Sequence, residues 1–223
     1  MEVPAAIGWL AARSIEVRQY REPAPADAVY DRLALQLGSH FDDLRPLHDQ
    51  IRRRQGNGGS FSLDLRQASQ VQNTSICNFC TELHRQAFLT EYHYDRRARR
   101  LTGRLQRVPR VINFITGGWF ERYVLLITTR LLRGAGRKVD ALVNPQIVYP
   151  NGDAFELDLV LMVDGEPLWI ECKTGDYQQY VHRYAEAQGQ LGLRPQRGVL
   201  VVLGLADEIT TSLSYTCALT VTN

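Results

Sequence analysis

Two apolar segments, 154–163 and 167–173, joined by Asp164-Gly165, constrain this chain more than any other feature. Both are rich in Leu, Val, Ile and Trp, the composition of strands buried on both faces. An Asp-Gly pair between two such runs signals a hairpin, because its favoured turn needs positive φ at both central positions. Against this background the polar exceptions stand out: Asp158 in the first segment, and Glu171 and Lys173 in Leu168-Trp169-Ile170-Glu171-Cys172-Lys173. Side chains alternate along a strand, so Glu171 and Lys173 face one side and Cys172 the other. Pairing across the turn brings Asp158 beside both. Charges converging on an apolar sheet are costly unless they pair or hold a metal.

Two carboxylates and a lysine supply hard oxygen ligands for a divalent cation and a compact positive charge beside a phosphate or an attacking water. An acid-x-Lys triplet alone is common on solvated strands; the apolar flanks set this one apart. Of the 26 Lys+Arg residues only Lys138 and Lys173 are lysine, so a chain that otherwise uses arginine places lysine inside this group. Lysine offers a flexible point charge where arginine offers a planar fork.

Upstream, Phe120, Tyr123, Val124, Ile127 and Leu131 recur at helical spacing, and Gly134-Ala135-Gly136 ends the run. Strands are predicted at 140–149, 154–163 and 167–173, the first two joined by Pro150-Asn151-Gly152-Asp153. The amphipathic stretch 176–191 predicts a helix, the apolar run 198–204 a buried strand, and a helix near 206–213 and a strand at 214–221 close the chain.

The order helix, three strands, helix, strand carries three motifs. They are Gly117-Gly118-Trp119-Phe120-Glu121, then Glu156-Leu157-Asp158-Leu159, then Ile170-Glu171-Cys172-Lys173-Thr174. Together they resemble the PD-(D/E)xK nuclease superfamily. In motif they are most similar to the nuclease domain of CRISPR ancillary effectors activated by cyclic oligoadenylate, and of uncharacterised bacterial relatives. The resemblance covers roughly residues 111–223. It implies an α/β fold with a restriction-endonuclease-like αβββαβ core, a mixed sheet flanked by helices. It also implies a metal-dependent endonuclease acting on DNA or RNA, in defence against phage or mobile elements.

On that resemblance Asp158, Glu171, Lys173 and Glu121 are the catalytic set. Asp158 and Glu171 would hold Mg²⁺ or Mn²⁺ with the backbone carbonyl of Ile170 or Cys172, and Glu121 would join through water or a second ion. Glu156 is an auxiliary ligand candidate, and Gln178, Gln179 and Arg183 are candidates for phosphate contact. Nucleases of this fold cut one strand per site, so a homodimer is expected. The effectors carry a sensor domain ahead of the nuclease; the N-terminal half here is too short for one, so a separate sensor or activator protein is expected.

The two halves differ in charge. Residues 1–110 hold 17 Arg against 12 acids, and residues 111–223 hold 9 Lys+Arg against 12 acids, or +5 and −3. A basic half beside an acidic metal-binding half fits a nuclease with a nucleic-acid-gripping module. Residues 1–26 are expected as an N-terminal segment or linker, 27–110 as a small α+β winged-helix-like domain and 111–223 as the nuclease domain. The linker is Pro23-Ala24-Pro25-Ala26, before a helix that Asp27 would cap. Helices are predicted at 28–37 and 41–54, a break at 55–60, a short helix near 64–70 and a helix at 74–87. A hairpin follows, 88–94 and 99–106, around Asp95-Arg96-Arg97-Ala98. Helix, turn, helix, hairpin is a winged-helix layout. Residues 96–110 hold seven arginines and no acid. Arg96, Arg97, Arg99, Arg100 and Arg104 read either as phosphate contacts, with Tyr92, His93 and Tyr94 for stacking, or as a solvated wing.

Other chemistry finds little support. Cys77 and Cys80 sit on one apolar helix face without a second pair, which reads as core. The histidines at 40, 48, 84, 93 and 182 lack metal-ligand spacing. With no signal peptide, no apolar run of membrane length and no disulfide pattern, the expected location is the cytoplasm and no membrane partner is expected. The alternative function is a non-catalytic winged-helix nucleic-acid-binding or regulatory protein with a degenerate nuclease fold.

Overall fold

The computed structural model describes residues 3–22, 24, 27–54, 59–217 and 219–223. Pro23, Pro25 and Ala26 of the expected linker, and 55–58 of the expected break, lie outside those residues. The first elements are α1 (Ala5–Ala11), β1 (Glu16–Gln19), α2 (Asp27–Ser39), α3 (Phe41–Arg54), β2 (Ser60–Asp64) and α4 (Gln70–Arg85). There follow β3 (Leu89–Asp95), β4 (Arg100–Leu105), α5 (Pro109–Asn113), a π-helical turn at Phe114–Gly118 and α6 (Trp119–Gly134). The chain continues through β5 (Val139–Val143), β6 (Gln146–Val148), β7 (Ala154–Glu156), β8 (Leu159–Val163) and β9 (Glu166–Lys173). It ends with α7 (Val181–Gln190), β10 (Gly198–Val202), α8 (Asp207–Cys217) and β11 (Thr220–Thr222). Two compact units result: Met1–Ala24 with Val124–Asn223, and Pro25–Tyr123 between them in sequence.

In the first unit a five-stranded sheet has the order β11-β10-β9-β8-β5. β5, β8 and β9 run antiparallel, whereas β9, β10 and β11 are parallel, so the sheet is mixed. The β8–β9 hairpin turns as its sequence demands, with φ of 51° at Asp164 and 86° at Gly165. Its register pairs Leu159 with Ile170 and Val163 with Glu166. The five residues of β8 are all buried, as strands covered on both faces require. The core joins Leu142, Val160, Trp169 and Leu200 of the sheet to Tyr184, Ala187 and Leu191 from α7 and its end, and to Ala6 and Leu10 of α1.

Several sequence expectations are corrected here. The predicted strand 140–149 is two strands, because Asn144 adopts φ 49° and Pro145 has no N–H to continue a ladder. The predicted strand 154–163 breaks opposite, at 157–158, where Leu157 N–H donates to the Pro145 carbonyl (3.1 Å) and Asn144 N–H to the Asp158 carbonyl (2.9 Å). The chain thereby switches from the five-stranded sheet to a second one, β1-β6-β7. Residues 1–26 are thus more than a linker: β1 pairs antiparallel with β6, and α1 buries Ala6 and Leu10. The predicted strand 214–221 shrinks to β11, because α8 runs on to Cys217. The predicted helix 176–191 opens with a single 3₁₀ turn, Gln178–Tyr180.

The second unit packs α2, α3 and α4 with a three-stranded antiparallel sheet of order β2-β4-β3. Leu33, Leu37, Leu47, Ile76, Phe79 and Leu101 are fully buried. No short helix forms near 64–70; Phe61-Ser62-Leu63 is strand, paired with Gly103, Thr102 and Leu101. α4 starts four residues before the predicted 74 because Ser69 caps it, its hydroxyl accepting from Gln72 N–H at 3.1 Å. The Asp27 carboxylate binds the buried Arg122 guanidinium at 2.7 Å, with Asp31 as the second partner. Among the described residues no helix is long and apolar enough to cross a membrane.

Candidate active site

Asp158 occupies the corner between β7 and β8, and Glu171 and Lys173 lie near the end of β9 beside it. The backbone holds the two acids. Asp158 N–H donates to Glu171 Oε1 (3.0 Å), and Cys172 N–H donates to Asp158 Oδ2 (2.8 Å). Trp169, two residues before Glu171 on the same strand face, donates its indole N–H to Oε1 at 3.0 Å. Lys173 Nζ stands 3.9 Å from Asp158 Oδ2 and 3.7 Å from Glu171 Oε2. The three charged side chains therefore form one cluster, as strand alternation and hairpin pairing predict.

The cluster is nearly dry. Asp158 is 8% exposed and Glu171 2%. Burial, then the Asp158 charge, push the Glu171 carboxyl well above the usual carboxylate range, with Lys173 opposing. Burial would lower the Lys173 ammonium, but the charges of Asp158 and Glu171 and the Tyr184 hydroxyl outweigh it and hold its pKa above the ordinary lysine range. The ammonium also lies 5.4 Å from the Tyr184 ring centre and 5.7 Å from that of Tyr180. Neither tyrosine is among the candidates that the sequence offers, where both fall in the amphipathic stretch 176–191. Their spacing of four, which aligns them on one face, was the available signal. Trp169 had a signal too, in its position two before Glu171.

The other candidates are disposed differently. The Cys172 thiol is buried, and its backbone N–H serves Asp158. Glu156 is exposed on β7, in the other sheet; the corner at 157–158 breaks the alternation that would have set it beside Asp158. Glu121 is in the first turn of α6, in the Pro25–Tyr123 unit. Among the described residues no three His, Cys, Asp or Glu side chains gather into a metal-holding group, so the candidate centre rests on a pair of carboxylates.

The arginine hairpin is β3–β4. Arg96 and Arg97 are exposed at its tip, where Asp95 Oδ1 accepts from the N–H groups of Arg97 (2.8 Å) and Ala98 (3.0 Å). Arg99 adopts φ 47°, and its guanidinium donates to the carbonyls of Arg66 (3.2 Å) and Ala68 (3.0 Å). Arg104 pairs with Glu91 (3.2 Å) and donates to the Ser60 hydroxyl (3.1 Å). Arg100, opposite Asp64 and Asp95, is exposed. Arg99 and Arg104 thus have structural work within the hairpin.

No family model and no curated protein matches the sequence. Solved structures do match the fold. Protein VC1899 from Vibrio cholerae superposes with a TM-score of 0.62 at 17% identity, over 99% of this chain and 57% of that one. Can2 from Sulfobacillus thermosulfidooxidans, in complex with cyclic tetra-adenylate, gives a TM-score of 0.61 at 16% identity, over 96% of this chain and 55% of that one. The chain therefore spans little more than half the length of either. At such identities the likeness is one of architecture: this is a mixed α/β fold similar to that of Can2.

Proposed function

We propose that this chain is a metal-dependent nuclease hydrolysing phosphodiester bonds in DNA or RNA, with Asp158, Glu171 and Lys173 as its reaction centre. One observation carries the reading: two buried carboxylates and a lysine within 4 Å, fixed by backbone donors at the ends of paired strands. The sequence resemblance to CRISPR-associated nuclease domains and the fold shared with Can2 support it.

The donor set fits a hard divalent cation. Both acids are oxygen donors, buried side by side with Lys173 as the cation between them. Mg²⁺ or Mn²⁺ bound there would lower the pKa of a water and polarise the scissile phosphate. Asp158 and Glu171 would hold it, with the Cys172 or Ile170 carbonyl as a further donor. Glu171 Oε1 is engaged by Trp169 and by Asp158 N–H, so Oε2 is the oxygen turned towards Lys173. Lys173 stays protonated at neutral pH and donates to a phosphate oxygen or to the attacking water. The Pro25–Tyr123 unit acts in this reading as a winged-helix-like grip, with Arg96, Arg97 and Arg100 on phosphates and Arg99 and Arg104 keeping the hairpin in shape. A homodimer would cut both strands of a duplex, and a separate activator, a protein or a cyclic oligonucleotide of the kind bound to Can2, would switch it on.

The test is cleavage of plasmid, single-stranded DNA and RNA by the purified chain with Mg²⁺ or Mn²⁺, with and without cyclic tetra-adenylate, beside Glu171→Gln. Cleavage by the native chain that falls roughly a thousandfold in the variant is expected. No cleavage under any condition, or equal cleavage by the variant, leaves the non-catalytic binding protein as the better account.

A further inference from the structure

Trp169 differs from the other large residues of the sheet core, because it carries a polar atom into the acid–acid–lysine cluster. Leu, Ile or Phe would bury as well on β9, but none of them has a side-chain N–H to give. Trp169 is 1% exposed and stands two positions before Glu171, so strand alternation sets both side chains on one face. Its ring is braced from two sides. Phe155 of β7 meets it edge-on with ring centres 6.3 Å apart, and Tyr184 of α7 does so at 6.1 Å. Phe155 and Tyr184 also meet each other, at 6.4 Å, so three mutually packed rings hold the indole in one orientation. That orientation delivers the indole N–H to Glu171 Oε1 at 3.0 Å.

The two acids differ in how much holding they need. Asp158 has a short side chain, and Cys172 N–H restrains its Oδ2 at 2.8 Å. A glutamate has one torsion more, and its terminal torsion is broad and roughly two-fold, so one donor leaves the carboxylate able to turn. Glu171 Oε1 receives two donors from different elements, Asp158 N–H at the β7–β8 corner and the indole, each at 3.0 Å. Donors to an sp² oxygen prefer the plane of the carboxylate, so the pair fixes that plane as well as the direction of the group. Oε2 is thereby set towards Lys173 Nζ, which at 3.7 Å is beyond hydrogen-bond length. The same Nζ stands 3.9 Å from Asp158 Oδ2, so the two acids present these oxygens to one side of the cluster.

We propose that Trp169 is a positioning residue: its indole N–H fixes the Glu171 carboxylate so that Oε2 is presented to the divalent cation, and this sets how tightly the cation is held. The proposal rests on the nuclease reading for the presence of a cation. Trp169 acts through Glu171. Donors that orient a metal ligand in this way are worth roughly ten- to a hundredfold in metal affinity, because a ligand left free to turn must be ordered when the metal binds. A residue that only filled the core at this position would need no N–H.

Mn²⁺ binding to the full chain, followed by loss of the free-ion paramagnetic resonance signal, tests this. The native protein is compared with Trp169→Phe and Trp169→3-benzothienylalanine. The second variant puts sulfur in place of the indole N–H and keeps the size of the ring, so the core stays filled where phenylalanine leaves a gap. Both variants should bind Mn²⁺ about tenfold more weakly than the native chain. Cleavage of a single-stranded oligonucleotide should then need about tenfold more Mn²⁺ to reach half its maximal rate, with the rate at saturating Mn²⁺ near native. Native Mn²⁺ affinity in the benzothienylalanine variant, whatever its melting midpoint, would reduce Trp169 to a packing residue and overturn the proposal, leaving the nuclease reading untouched. Mn²⁺ binding weakened as expected, in a native chain that cuts neither DNA nor RNA, would keep the positioning role and sink the nuclease reading. A native chain that binds no Mn²⁺ overturns both.

Discussion

His48 shows how far a residue's sequence context can hide its role. It falls in a polar run of α3, yet it is 3% exposed. Its Nε2 lies 3.1 Å from Trp119 Nε1 and 2.9 Å from the Ile115 carbonyl, so the tautomer decides which of the two is a hydrogen bond. Trp119 in turn stacks on Phe41, with ring centres 5.2 Å apart. Burial lowers the His48 pKa below 6.5, the Ile115 carbonyl opposing and Arg52 adding to the fall. The unfolded chain therefore binds more protons than the folded one below about pH 6.5. The stability His48 contributes is complete above that pH and is lost as pH falls towards the folded value. Urea unfolding midpoints measured from pH 7.5 to 5 should drop on the acid side, and His48→Gln should flatten that part of the profile; an unchanged profile would mean His48 is not buried neutral. The acid–acid–lysine cluster is more legible. Alternation placed Glu171 and Lys173 together correctly, because both stand on one uninterrupted strand. The same rule failed for Glu156, because Asp158 stands at a corner that only the Asn144-Pro145 pairing opposite creates.

Among elements, the β8–β9 hairpin is where sequence and structure agree most fully. Asp164-Gly165 makes the turn, and Asp164 then bonds outward, to Lys138 N–H and the Arg137 guanidinium, both at 2.9 Å. Gly165→Ala puts a Cβ on a residue at φ 86° and should lower stability by about 1 kcal/mol in denaturant melts. Open space surrounds that position, so a larger loss would point to a register change and not to a clash. Gly38 on α2 is the opposite case. A Cβ there would clash with the Tyr123 ring, so Gly38→Ala should cost roughly 1–3 kcal/mol although its backbone is helical. Nothing local announces that close approach, since the two residues are 85 positions apart in sequence. For the same reason β1 escaped notice: Glu16–Gln19 has one apolar residue, and only β6, far along the chain, makes it a strand.

At the scale of the molecule, charge and connectivity matter most. If the β3–β4 hairpin grips a strand, Arg96→Gln with Arg97→Gln should weaken binding alike for all sequences. It should also flatten the slope of log affinity against log salt by roughly 0.7–0.9 per contact. The melting midpoint should hold, because exposed charges contribute only about 0–1 kcal/mol each. An unaltered slope would assign the tip to solvent. Arg99→Gln should instead lower the midpoint, since its guanidinium ties the turn to the Arg66 and Ala68 carbonyls. The pairing of β1 with β6 bears on how the molecule is made. The Pro25–Tyr123 unit is continuous and can close as soon as it leaves the ribosome, whereas Glu16–Gln19 must wait until Gln146–Val148 has been synthesised. Through that interval α1 and β1 have no place to dock, and the Asp158, Glu171 and Lys173 cluster cannot assemble, because β9 comes later still. A nascent chain therefore carries its basic unit folded well before the acid–acid–lysine cluster exists.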